Sequence, residues 1–305
     1  MTPIYNQLLI PFLTAMAVAI TMGGSGTAPA FSASYGANVI RKSIIPGLFG
    51  IMVFVGAFIA GKKTAGTMGS GILPSEFMDF TVVSIALFSI AVTMLISNIS
   101  GIPQSTSQAA VLALAAPALY FGRLDTHNLF VEIIPAWFIL PIISYFLSFF
   151  AGKYIYQPMR RRGLTIQRAQ NENKRHIWDI VLVIMALYVS FAIGSNNVAN
   201  AAGPLYTMTI NELHIRESDH IVILMLATLV VAPCFGIGAS LFGHKILKNT
   251  GKEIILFGKF EAVIIAFISG SLLLLASVVK GIPTSLVQVN VAAILGLGVA
   301  KIGHK

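Results

Sequence analysis

Nine apolar runs dominate this chain, at about 6–22, 44–61, 77–97, 107–122, 131–152, 177–193, 220–242, 254–279 and 286–300. A helix needs about 20 mostly apolar residues to cross the hydrocarbon core of a bilayer. Runs this long and this closely spaced predict an all-α polytopic membrane protein. Composition closes the alternatives: 56% of residues are hydrophobic and 10% charged, against about 25% charged in a soluble domain. That is too little charge to wet a soluble surface, which excludes disorder, coiled coil, collagen and a soluble enzyme. The first run, Leu8 to Met22, reads as part of the mature protein and not as a signal peptide, because no basic side chain precedes Arg41.

The net charge of +9 would suggest nucleic acid in a soluble protein. Here the basic residues lie mainly between apolar runs and no aromatic-interleaved basic surface appears, so the partner is a lipid bilayer and not nucleic acid. The one long hydrophilic stretch, 153–176, carries Lys153, Arg160, Arg161, Arg162, Arg168, Lys174 and Arg175 against Glu172. The positive-inside tendency places it in the cytoplasm. It divides the chain into 1–152 and 177–305. Cys234 is the single cysteine, so no intrachain disulfide forms.

The two parts resemble each other. Gly101-Ile102-Pro103-Gln104-Ser105 matches Gly281-Ile282-Pro283-Thr284-Ser285 at an offset of 180. Gly61-Lys62-Lys63 with Thr67-Met68-Gly69 matches Gly243-His244-Lys245 with Asn249-Thr250-Gly251 at 182, and Gly23 and Ala28 match Gly194 and Ala199 at 171. Three motifs in one order with near-constant spacing mark an internal duplication. Five crossings separate the copies if each run spans once, so the second copy is inverted. With the linker inside, the N-terminus and 211–219 lie outside, and Arg41-Lys42, Lys245, Lys248, Lys252 and the C-terminal Lys301 and Lys305 lie inside. Lys62-Lys63 falls outside, as a motif copied into an inverted half must once. The runs at 107–122 and 286–300 either cross fully or are re-entrant, and the second half lacks a counterpart of 131–152.

Two small, polar segments interrupt the pattern, Gly23 to Pro29 and Gly194 to Asn200. Gly, Pro and Asn disfavour helix interiors, so both are expected to break helices at mid-membrane, where irregular backbone persists only if protein buries it or it lines a cavity. Pro103 and Pro283 stop the preceding chain and leave a new helix N-terminus just beyond. Helix N-termini present free N–H groups and bind anions. Ser105, Thr106, Ser107 and Ser285 fall at cap or first-turn positions. With Ser25, Gly26, Thr27, Gln108, Asn196, Asn197, Asn200, Thr284 and Gln288 they form the candidate substrate site, a cage of neutral dipoles for a small oxyanion. No metal-spaced His/Cys set, catalytic Ser-His-Asp arrangement or phosphate-binding Lys loop appears, so neither an enzyme nor a resident metal or cofactor is expected.

These motifs resemble those of the inorganic phosphate transporter family, whose repeat runs approximately Gly-Ala-Asn-Asp-X-Ala-Asn, then Gly-X-X-Val-X-X-Thr-X-Gly, then Gly-X-Pro-X-Ser-Thr-Thr-His. The second half matches at Gly194-Ser195-Asn196-Asn197-Val198-Ala199-Asn200, Gly243 to Gly251 and Gly281 to Ser285; the first keeps Gly61 to Gly69 and Gly101 to Ser107, with its opening motif eroded to Gly23-Gly24-Ser25-Gly26-Thr27. The resemblance implies secondary transport of a tetrahedral oxyanion through inverted repeats, often in a homodimer. The family's aspartates, which serve sodium coupling, are replaced by Gly26 and Asn197, and its histidines by Gln108 and Gln288. A carboxylate can accept a hydrogen bond from the proton that phosphate carries but repels fully deprotonated sulfate, whereas amides donate to an all-acceptor dianion. The chain therefore looks like the sulfate permease branch of bacterial cysteine biosynthesis, in the cytoplasmic membrane, with phosphate and other oxyanions as alternatives.

Uptake of a dianion against an inside-negative potential of 100 mV is opposed by about 4.6 kcal/mol. With the sodium-linked aspartates gone, protons are the expected co-transported ion, and Glu261, Asp179 and Glu132 are the candidate carriers. Lys259 and Glu261, two residues apart, read equally as an interfacial pair. A sodium- or proton-coupled phosphate symporter is the alternative within the class. An anion channel is the alternative outside it, because helix dipoles also line selective pores.

Overall fold

Each apolar run falls in a helix, and no strand occurs among the described residues, which in this computed structural model are 4–102, 104–161, 172–243, 247 and 258–302. Pro103, the linker residues Arg162 and Arg168, and His244, Lys245, Lys248, Asn249, Thr250, Gly251, Lys252 and Lys305 lie outside them. The first half comprises α1 (Ile4–Gly36), α2 (Ile45–Ala60), α3 (Lys62–Ser70), α4 (Phe80–Ser100), α5 (Thr106–Tyr120) and α6 (Ile134–Ala151). Wider π-helical turns, Asn128–Ile133 and Gly152–Tyr156, flank α6, and α7 (Gln157–Arg161) continues it. The second half comprises α8 (Glu172–Asn197), α9 (Ala199–Leu213), α10 (His220–Gly238), α11 (Lys259–Leu275) and α12 (Leu286–Ile302), with π turns at Ala239–Gly243 and Ala276–Lys280.

Six helical segments are long and apolar enough to cross a bilayer, and a seventh is added if α2 and α3, bent by 77° at Gly61, count as one span. The protein is thus a multi-pass membrane protein. α5, with 15 residues, is about 22 Å long, short of the roughly 30 Å of a hydrocarbon core.

Two of the four expected helix breaks are absent. Gly23 to Pro29 does not interrupt α1, which runs unbroken for 33 residues. Its small residues serve close packing instead: a Cβ on Gly23 would overlap the Phe235 carbonyl, and one on Gly24 would lie 2.6 Å from Phe242 Cβ. Small residues let helix backbones approach where lipid offers no hydrophobic drive. Similarly, 194–200 is nearly continuous. α8 reaches Asn197, Val198 keeps helical dihedrals (φ −61°, ψ −34°), and α9 begins at Ala199. The true discontinuities are the bend at Gly61 and two non-helical tips, one comprising Gly101, Ile102, Gln104 and Ser105 among the described residues and the other Gly281–Ser285.

The close contacts recur at the offsets found in the sequence. Gly194 abuts the Val53 carbonyl as Gly23 abuts that of Phe235, and Gly56 abuts the Phe191 carbonyl as Gly238 abuts that of Ile20. In each comparison the partners on α1 and α8 are 171 residues apart, and those on α2 and α10 are 182 apart. The tips correspond as well. Gly101 (φ 70°) and Gly281 (φ 66°) take the left-handed conformation that ends the preceding helical turns, and N–H groups fold back from Ile102 to Ser97 O at 3.1 Å and from Ile282 to Ala276 O at 3.0 Å. α6 packs along α12.

Candidate functional site

The two tips and the α8–α9 junction converge on a buried polar cluster centred on Asn196, which is fully buried. Asn196 Nδ2 donates to Ser277 Oγ at 2.8 Å and to the Ile282 carbonyl at 3.0 Å. Its Oδ1 accepts from Ser107 Oγ at 3.2 Å and from the Thr284 N–H at 3.1 Å. One side chain therefore fastens α8 to the start of α5 and to the second tip. Asn200, one turn along, donates through Nδ2 to Ser107 Oγ at 3.2 Å. Unmet buried polar groups are costly, so this bonding pattern specifies how three separate segments dock.

At the tips, Ser105 caps α5 by accepting from the Gln108 N–H at 3.3 Å, and Ser285 accepts from the Gln288 N–H at 3.3 Å. The cap positions expected from Gly-Ile-Pro-X-Ser are where the structure puts both serines. Gln108 and Gln288 then meet, Nε2 to Oε1, at 3.1 Å. Thr106 is buried in the first turn of α5.

Three buried oxygens in this region have no partner: Asn197 Oδ1, Asn200 Oδ1 and Thr284 Oγ1. The Thr284 hydroxyl retains its proton for a ligand, and a half-turn of the Asn197 amide exchanges oxygen for NH2. No member of the hydrogen-bonded cluster carries a charge. Most of its donors are engaged within the cluster, the Thr284 hydroxyl being the one without a partner among the described residues, and it holds nothing ionised that would repel an anion.

The first-half candidates behave differently. Ser25 and Thr27 donate to carbonyls of their own helix, Met22 O at 3.0 Å and Gly23 O at 2.7 Å, so no hydrogen bond joins them to the cluster. Gly26 faces apolar side chains, with a built Cβ 3.3 Å from Phe49 Cζ and 3.7 Å from Ile193. Straight helix accounts for this, since an unbroken α1 has no free ends to offer. Ser277 was absent from the sequence reading, yet it bonds Asn196; its signal lies in the duplication, 180 residues after Ser97, which bonds the Ile102 carbonyl at its own tip.

The candidate carboxylates lie outside this network, each in an ion pair. Glu132 meets Lys280 at 3.2 Å, Glu261 meets Lys301 at 3.2 Å, and Asp179 pairs with Lys259. Of the two readings of Lys259 and Glu261, the mutual pair does not form, because residues two apart on a helix point in different directions. Glu261 is the buried one, with its side chain 7% exposed.

The profile of the phosphate transporter family matches residues 22–305. The chain is 30% identical to the sulfate permease CysP of Bacillus subtilis over 97% of its own length and 78% of that protein's. It is 24% identical to a putative phosphate permease of Pyrococcus abyssi, covering 96% of this chain and 89% of the relative. A probable low-affinity inorganic phosphate transporter of Bacillus subtilis is 26% identical over 94% and 84% of the two chains. Among solved structures, the fold is similar to that of a sodium-dependent phosphate transporter, with a TM-score of 0.81, 20% identity and coverage of 98% and 91%.

Proposed function

This chain belongs to the phosphate transporter family and is a membrane permease, not an enzyme, and we propose that the oxyanion it imports is sulfate. The observation that carries this reading is the uncharged cluster around Asn196, in which amides, hydroxyls and a backbone N–H meet and no carboxylate takes part. Sulfate near neutral pH has only acceptors, and such donors suit it. The similarity to a sulfate permease supports the same reading.

Import proceeds by alternating access between two inverted halves, with the N-terminus outside and the linker and C-terminus inside the cytoplasmic membrane. The glycine–carbonyl contacts and tip geometries that recur at fixed offsets support the pairing of the halves. Protons drive uptake, and Glu261 is the favoured carrier, since it is the most buried of the three paired carboxylates. Its pairing with Lys301 ties this carboxylate to the packing of α11 against α12.

A phosphate symporter is the second reading, favoured by relatives named as phosphate permeases. Uptake of labelled sulfate and phosphate into proteoliposomes, with and without sodium and pH gradients, decides between them. The expected result is saturable sulfate uptake that follows the pH gradient and ignores sodium. Sodium-driven phosphate uptake with no sulfate uptake overturns the proposal, and a lack of sulfate counterflow identifies a channel.

A further inference from the structure

The peptide between Pro283 and Thr284 is held from both ends. Its carbonyl accepts from the Trp137 indole Nε1 at 3.0 Å, and its N–H donates to Asn196 Oδ1 at 3.1 Å. The peptide is trans, so these two groups point in opposite directions, and bonds to both fix the rotation of the plane about the chain. Pro283 is buried, so its carbonyl has no ready water in place of the indole. On either side of this plane lie the site's groups: the Ile282 carbonyl bonded to Asn196, the unpartnered Thr284 hydroxyl, and Ser285 capping α12.

Trp137 comes from α6. The same helix and its continuation donate twice more to α12, from Ser144 Oγ to Val289 O at 2.8 Å and from Gln157 Nε2 to Ala300 O at 2.5 Å. Both of those acceptors lie within α12, one turn and four turns beyond the tip, and not in the extended segment itself. Only the indole reaches the extended segment whose backbone enters the polar cluster.

We infer that Trp137 is a positioning residue for oxyanion binding, its N–H setting the plane of the Pro283–Thr284 peptide so that Thr284 meets Asn196 in one fixed orientation. The inference rests on the reading of the Asn196 cluster as the oxyanion site. Trp137→Phe keeps an aromatic ring against the core and removes the donor. Ser144→Ala is the control, since it removes a bond from the same helix that does not touch the tip.

In full-length protein in lipid nanodiscs, amide hydrogen exchange at Thr284 is expected to rise about tenfold in Trp137→Phe and to stay unchanged in Ser144→Ala. In proteoliposomes, Trp137→Phe is expected to raise KM for the transported anion, sulfate or phosphate, by about five- to tenfold at nearly constant kcat, with Ser144→Ala within about twofold of wild type. Unaltered exchange at Thr284, unaltered KM in Trp137→Phe, or equal effects of the two variants overturns the inference, because α6 then only props the fold. Exchange as expected in a protein that transports neither anion defeats the substrate reading and leaves the positioning of the peptide standing.

Discussion

Gln108 and Gln288, 180 residues apart in the chain, meet side chain to side chain at 3.1 Å, each one turn beyond a serine that caps its helix. They occupy equivalent positions in the first turns of α5 and α12, so their bond is a seam between the halves. Any movement that parts these two helix ends breaks it. A neutral hydrogen bond of this kind contributes about 0.5–1.5 kcal/mol.

Gln108→Ala and Gln288→Ala are therefore expected to change the sulfate KM by similar factors of several-fold, with the double variant no worse than either single one. A double-mutant cycle on KM reads the coupling. Strictly additive effects would show that the seam plays no part in binding.

Asn196→Ala is expected to be the most damaging substitution in the cluster. It removes the partner of the Thr284 N–H and of the Ile282 carbonyl, and one of the partners of the Ser107 and Ser277 hydroxyls, which keep Asn200 and Leu273, at a cost of about 1–3 kcal/mol for each group left unsatisfied. Thermal unfolding in detergent should fall by several degrees, and sulfate uptake should be lost. Asn196→Asp can still accept from Thr284 and Ser107 but places a negative charge in the cluster. It should fold better than the alanine variant and transport sulfate no better.

Asn197, with an unpartnered buried oxygen, tests substrate choice. Asn197→Asp should lower sulfate uptake at least tenfold and raise the ratio of phosphate to sulfate uptake, because only phosphate brings a proton that the carboxylate can accept. Competition of each anion against labelled sulfate measures the ratio.

Packing makes a prediction independent of transport. Alanine at Gly194 or Gly23 would drive a methyl group into the Val53 or Phe235 carbonyl, whereas Gly47 has no neighbour within 4 Å. Overpacking of this kind costs about 1–3 kcal/mol or more. Gly47→Ala should leave the melting temperature unchanged or slightly raised, and the other two should lower it clearly.

The Glu261–Lys301 pair links α11 to α12 at 3.2 Å, with Lys301 also near the Tyr156 ring at 5.7 Å. Glu261→Gln should cost about 1–3 kcal/mol, less than a fully buried pair because Lys301 is a quarter exposed. If Glu261 carries the proton, this variant also loses acceleration by a pH gradient while retaining sulfate counterflow. A variant that still follows the pH gradient moves coupling elsewhere.

The spans and the paired tips were legible because their signals are local: apolar length, and a Gly-Ile-Pro-X-Ser order that both ends one helix and caps the next. The clustering of Asn196, Asn200, Ser107 and Thr284 was legible through the duplication. What sequence misjudged was glycine. In Gly23 to Thr27 the same residues that lower helix propensity also permit backbone contact, and the partner helix α10 decides between those roles. Trp137 and Ser277 were missed for a related reason, since each acts through a carbonyl or amide far away in sequence and neither carries a motif of its own.

The glycine contacts have a consequence for tolerance to change. At Gly23, Gly56, Gly194 and Gly238 a carbonyl oxygen of a neighbouring helix already occupies the space that a Cβ would need. Every other amino acid carries that atom, so none can replace glycine there without moving a helix. The four positions act as fixed spacers, and variation in this chain is absorbed by other faces of the same helices.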